Sequence, residues 1–134
     1  MKISLDLRPT QTAILELYQA LNWSAAQKPD ALYAALLNSH QLATAWDNDR
    51  LVGLGNAISD GHLVVYYPHL LVHPNYHGQG IGKQLLAALQ TVYQDFHMQM
   101  LVADGKAIDF YASQGFSKAG QTQAMWIYHG KEHE

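Results

Sequence analysis

The spacing of apolar side chains changes along this chain, and each change predicts an element. Ile3, Leu5 and Leu7 alternate with polar neighbours and predict an opening strand that Pro9 ends. Ile14, Leu17, Tyr18 and Leu21 then recur at three- and four-residue steps, predicting a helix that Thr10 or Thr12 caps. From about Asp30 the stripe Leu32, Tyr33, Leu36 and Leu37 predicts a second helix, ending near Asn38. The period then falls to two. Gln41 to Trp46 and Leu51 to Ile58 read as a hairpin joined through Asp47-Asn48-Asp49. Asp60-Gly61 reads as a type I′ turn, in which both central residues take positive φ. It leads into a long strand, His62 to Val72, broken at Pro68, which has no N–H to give a ladder.

Beyond a glycine-rich loop, Ile81, Leu85, Leu89, Val92 and Phe96 predict an amphipathic helix, and Met98 to Ala103 a short strand. Asp104 reads as the cap of a last helix through Ala107, Ile108 and Tyr111, closed by a left-handed Gly115. Phe116 onwards and Ala124 to His129 read as two final strands, and Gly130 to Glu134 as a frayed tail. The strand-helix-strand unit from His62 to Ala103 forces parallel neighbours into an otherwise antiparallel set. The class is therefore α+β with a mixed, mostly antiparallel sheet flanked by helices, as one domain over residues 1–134.

Composition narrows what such a domain can do. With 49% hydrophobic and 14% charged residues the chain can bury a real core. Eight basic against eleven acidic residues leave a net charge of −3, and no Lys/Arg run appears, so neither nucleic acid nor an anionic membrane is an expected partner. There is no cysteine, which excludes disulfides, thiolate metal sites and a cysteine nucleophile. The amino-terminal residues lack the apolar core of a signal peptide, and no run is long enough to span a bilayer, so the expected location is cytoplasmic.

Chemistry concentrates in one loop. His77-Gly78-Gln79-Gly80-Ile81-Gly82-Lys83 lies between a strand and a helix, with glycines at alternate positions. Bare backbone there can approach a ligand, and N–H groups at the positive end of a helix attract an anion. Lys83 adds charge or is simply a solvated surface residue. A Walker loop would need glycine at His77, and a dinucleotide fingerprint would need glycine at Lys83, so neither pattern fits. Histidines 69, 73 and 77 recur every four residues, yet Pro74 and the strand-to-loop context scatter them, so no metal site is expected.

Leu70-Leu71-Val72-His73-Pro74 followed by Gly80 and Gly82 resembles the acetyl-CoA loop of the GNAT superfamily of N-acetyltransferases, with His77 where Gln or Arg is usual. Ile108-Asp109-Phe110-Tyr111-Ala112-Ser113-Gln114-Gly115-Phe116 resembles that family's Phe-Tyr-x-x-x-Gly-Phe segment. Trp23-Ser24, Asp60-Gly61, Ala103-Asp104 and Met125-Trp126 look like a subgroup that includes arylalkylamine (serotonin) N-acetyltransferase-like proteins. The resemblance implies acetyl-CoA as co-substrate and direct attack by a primary amine of a small molecule, without an acyl-enzyme. A protein N-terminus or lysine as acceptor, and a non-catalytic acyl-CoA-binding module, are the alternatives.

It further implies that Leu70, Leu71 and Val72 pair their backbone with the pantetheine arm, and that the amide of Leu70 or Leu71 polarises the thioester oxygen. The diphosphate then lies on residues 77–83. Tyr111 is the candidate general acid, and His69 the candidate base or a passive lining residue, ahead of Asp60, His62 and Tyr66. Trp23, Trp46 and Trp126 are candidates for an aromatic acceptor pocket, with Trp46 better read as core. A homodimer is possible, since many relatives form one.

Overall fold

The structure, a computed structural model, describes residues 1–133. Strand β1 (Lys2–Ser4) is followed by α1 (Gln11–Ala20), a short 3₁₀ turn over Ser24–Gln27, and α2 (Pro29–Leu37). The long hairpin is β2 (Gln41–Asp47) and β3 (Arg50–Ser59). Then come β4 (Val64–Tyr66), β5 (Leu70–Val72), α3 (Ile81–Val92), β6 (Met98–Met100) and α4 (Ile108–Ser113). The sheet runs β1-β2-β3-β4-β6, with β5 also on β3, and only β4–β6 is parallel. The α+β class with a mixed, mostly antiparallel sheet flanked by helices is the architecture found.

Local choices follow from the residues. The Thr10 hydroxyl accepts the Ala13 N–H at 3.1 Å, so Thr10 rather than Thr12 caps α1. Ile14, Leu17 and Tyr18 then pack with Leu32 and Leu36 of α2 on one sheet face, against Leu42, Leu51, Leu54 and Leu71. Successive strand residues point to opposite faces, so Ala43, Ala45 and Val52 meet Leu85, Leu86 and Leu89 of α3 on the other. Cover on both faces explains why Leu51 through Ala57 are all buried. A Cβ on Gly53 would come 3.1 Å from both the Leu71 carbonyl oxygen of β5 and the Leu85 side chain of α3, so either neighbour would have to give way by a few tenths of an ångström.

Several expectations are corrected. Only Gly61 of the Asp60-Gly61 pair has positive φ (79°); the Asp60 carboxylate instead accepts the N–H groups of His62, Leu63 and Val64, so the turn is an aspartate-bridged one. The single long strand is two short ones, β4 and β5. Tyr93 is fully buried at the end of α3 while Val92 is 38% exposed, because the helix turns its last face past Val92. The strand after it stops at Met100 instead of Ala103. Asp104 serves a turn, taking the Lys106 N–H on its carboxylate and the Ala107 N–H on its carbonyl, and α4 begins behind Ala107 without a side-chain cap. Gly115 is left-handed at φ 95°, as its place after the helix requires.

No strand forms among residues 116–133. Alternation makes a strand only where a sheet edge accepts it. Here polar anchors hold the segment elsewhere: Glu132 and Tyr128 bond Ser24, and His133 pairs with Asp104 at 3.0 Å. Met125 and Ile127 stay over 90% exposed, and the expected fraying is replaced by a pinned tail as far as His133; Glu134 lies outside the described residues.

Candidate active site

The break in the long strand opens the site. Both β4 and β5 pair with β3, but β6 follows only β4. After the Tyr67 N–H reaches the Met100 carbonyl at 3.0 Å, the two chains diverge at Pro68, which has no N–H to continue the ladder. The kink costs His69 its ladder partner, and Asn56 repairs it. Its Oδ1 accepts the His69 N–H at 3.1 Å, its own N–H goes to the His69 carbonyl at 3.1 Å, and its Nδ2 donates to Ser39. Buried Asn56 was not singled out by the sequence; its only signal there is a polar residue inside an apolar strand. Asn56→Ala is expected to destabilise the fold by about 1–3 kcal/mol, the cost of a stranded buried N–H, seen as a lower urea midpoint at unchanged slope.

Register decides which backbone groups face the wedge. The His69 carbonyl and the His73 N–H both bond to β3, so odd-numbered residues 69, 71 and 73 use their backbone inside the sheet. Leu70 and Val72 turn theirs outward. Of the three residues expected to meet a pantetheine arm, Leu71 is therefore buried against Leu54 and offers nothing, while the Leu70 amide faces the opening. The Val72 carbonyl also faces outward, and the His77 Nε2–H donates to it at 2.7 Å.

The loop itself is built to leave its amides bare. His73 Nδ1 takes the Asn75 N–H and fixes a 3₁₀ turn over Pro74–Tyr76. Gly78 and Gly80 follow at φ 79° and 78°, and Gly80 opens α3 with no capping side chain. The first amide bonded within α3 is that of Gln84, to the Gly80 carbonyl. The N–H groups of Gly78, Gln79, Gly80, Ile81, Gly82 and Lys83 have no acceptor among the described residues. All of these residues except Gln79 line a cleft of about 570 Å³ that Phe110 and Ser113 of α4 also line. Its lining includes Lys83 and no carboxylate, which suits an anion. A slightly larger hollow, about 640 Å³, is lined by Glu16, Asp47 and Asp49 with Arg50; its carboxylates make it a poor seat for phosphate.

Tyr111 lies on α4, half-buried, its ring 5.1 Å from Phe110 and 6.1 Å from Phe116. Burial pushes its phenol above the ordinary tyrosine range, so it keeps its proton at neutral pH. On the opposite side of β5, His69 sits in an aromatic cluster. Its Nδ1 is 2.7 Å from the Tyr18 hydroxyl, and the Trp23 ring stands edge-on at 5.2 Å. Burial pulls the imidazole down to about 4, against a smaller opposing pull from Glu132. The ring is thus neutral at pH 7.

The remaining candidates are not at this point. The Asp60 carboxylate is spent on its turn, His62 is exposed, and Tyr66 is 39% exposed on the β4 strand. Trp46 bonds Thr44 and joins the α1–α2 core, whereas Trp126 lies on the tail, 60% exposed and stacked on Tyr128. The three spaced histidines bond separately to Tyr18, Arg50 and Val72, and no three His, Asp or Glu side chains gather to hold a metal among the described residues. Tyr18, which sequence periodicity marks only as core, is the neighbour of His69 that sequence reasoning missed.

Residues 11–127 match the acetyltransferase (GNAT) domain family. The chain belongs to the GNAT acetyltransferases. The GNAT family protein SP0256 from Streptococcus pneumoniae TIGR4 superposes with a TM-score of 0.79 at 30% identity, covering 95% of this chain and 98% of that one. A probable acetyltransferase from meticillin-resistant Staphylococcus aureus gives 0.83 at 25% identity, covering 96% and 98%. In sequence, an uncharacterized ycf52-like N-acetyltransferase of Prochlorococcus marinus is 30% identical over 83% of this chain and 66% of its own length. This GNAT chain spans between 37% and 66% of the curated relatives it matches. No helix among the described residues is long and apolar enough to cross a membrane.

Proposed function

We propose that the protein transfers the acetyl group of acetyl-CoA to a primary amine of a small molecule, by direct attack on the thioester. The observation that carries this is the run of six unpaired amides from Gly78 to Lys83, beside a wedge between β5 and β6. The diphosphate would lie on those amides, and the pantetheine arm would run along β5, meeting the outward groups of Leu70 and Val72. Its carbonyl pairing at Val72 requires the His77 ring to give way or to share that oxygen.

In the reaction the amine, having lost its ammonium proton to water, attacks the carbonyl carbon. The new C–N bond forms and the C–S bond breaks. The Leu70 amide receives the developing charge on the carbonyl oxygen. Tyr111 gives its proton to the departing thiolate, for which a phenol held protonated by burial is suited, and the proton that the acylated nitrogen then sheds passes through water to restore the phenol.

Two features favour a small, partly aromatic acceptor, as in arylalkylamine acetyltransferases. The acceptor side carries Tyr18, Trp23 and His69 in mutual contact. The tail also lies beside it, held to Ser24 next to Trp23 and to Asp104 beyond β6, with Glu132 near enough to pull on the His69 ring. A lysine acceptor is the second reading, because a Glycine max relative named histone acetyltransferase TAP1 is 35% identical over 63% of this chain. A screen of arylalkylamines, amino sugars and lysine peptides with acetyl-CoA, following thiol release, is expected to rank the arylalkylamines first. Release with peptides alone favours the second reading, and none with any amine removes both.

A further inference from the structure

We infer that His69 acts as a neutral hydrogen-bond donor on the acceptor side, with Tyr18 holding its tautomer, and that it is not the base that deprotonates the amine. The inference rests on reading the wedge as an acetyltransferase site. Tyr18 is fully buried, and its hydroxyl has one partner among the described residues, His69 Nδ1 at 2.7 Å. A phenol sealed in an apolar cluster must donate its hydrogen or leave it stranded. Were Nδ1 to carry a hydrogen, it would point at the phenol oxygen, and the hydrogen of the phenol would have nowhere to go. Nδ1 is therefore the acceptor, and in a neutral ring the proton stands on Nε2.

The backbone holds this arrangement. The N–H of His69 is tied to the Asn56 side chain and its carbonyl to the Asn56 amide, so the main chain that carries the ring is held on both sides, while Tyr18 and Trp23 pack on the ring itself. Nε2 has no protein partner among the described residues, yet no unpaired polar side-chain atom is sealed from solvent, so Nε2–H opens to accessible space. The groups around the ring are Tyr18 from α1, Trp23 from the segment after it, Asn56 from β3 and Glu132 in the tail. Glu132 is the charged one, and burial outweighs its pull.

A base needs a free lone pair, and this ring has none to offer: one is spent on Tyr18 and the other nitrogen bears hydrogen. An N–H instead suits an oxygen lone pair, on the thioester carbonyl as it gains charge or on the acceptor molecule. Tyr18 is thus a positioning residue.

Nitrogen-15 NMR of the imidazoles in the full chain tests this without any turnover, so it can fail independently of the acetyltransferase reading. Between pH 5 and 8, His69 is expected to show an unprotonated Nδ1 and a protonated Nε2. Tyr18→Phe, which removes only the hydroxyl, is expected to mix the tautomers of His69 and leave the His40 ring, bonded to Tyr93, unchanged as the folding control. A protonated Nδ1 in the wild type, or a His69 signature that Tyr18→Phe does not move, overturns the inference.

Kinetics give a second test. His69→Gln keeps an N–H donor but cannot be a base, and should lower kcat/KM for the amine about fivefold, against at least about thirtyfold for His69→Ala. Equal losses in the two variants overturn the donor role. A loss in His69→Ala that is uniform across amines places the oxygen on the thioester; one confined to oxygen-bearing amines places it on the acceptor.

Discussion

Gly80→Val is expected to weaken CoA binding at least about thirtyfold, or some 2 kcal/mol, while the protein stays folded. Gly80 has φ 78°, a conformation in which an L-residue pays about 1–2 kcal/mol and a β-branched one more. A Cβ there meets no protein atom within 4 Å, so the new side chain enters the open cleft rather than the core. That is the space a phosphate would need to reach the amides of residues 78–83. The valine relieves its strain by turning the loop, and the amides lose their common direction. Calorimetric titration with CoA, beside a thermal melt of each form, measures the effect. Affinity within twofold of wild type would mean that the diphosphate is seated elsewhere.

Tyr111→Phe is expected to lower kcat about a hundredfold and leave CoA affinity within about twofold. The ring keeps its contacts with Phe110 and Phe116, so α4 stays in place and only the proton is lost. Burial raises the phenol, so in the wild type its acid form persists through neutrality and fails only in strong alkali. Any alkaline limb that this acid causes should lie above the ordinary tyrosine range and vanish in the variant. Turnover that survives intact would assign the leaving-group proton to another donor. A protein that binds CoA and never turns over, in either form, would be an acyl-CoA-binding module.

Much of this was legible in the chain because it depends on neighbours in sequence. Amphipathic spacing placed α1, α2 and α3 and narrowed the first cap to Thr10 or Thr12, and the alternate glycines 78, 80 and 82 allowed a positive φ that Gly78 and Gly80 adopt and Gly82, inside α3, does not. The proline at 68 foretold a break in a strand, since a missing N–H is a local fact. Which way each backbone group faces is a different kind of fact. Leu70 and Leu71 look alike in sequence, yet only register against β3 turns one outward and the other into the sheet.

Likewise the carboxyl-terminal alternation reads as strand, but Ser24 and Asp104, distant in the chain, hold that segment off the sheet. Tyr18 reads as core and is core, but only the packing of α1 on the sheet places its hydroxyl on the His69 ring. Helices, turns and breaks arise from short-range sterics and hydrogen bonds that the sequence writes directly. Partners brought together across many residues are chosen by how the whole sheet and its helices bury their surfaces.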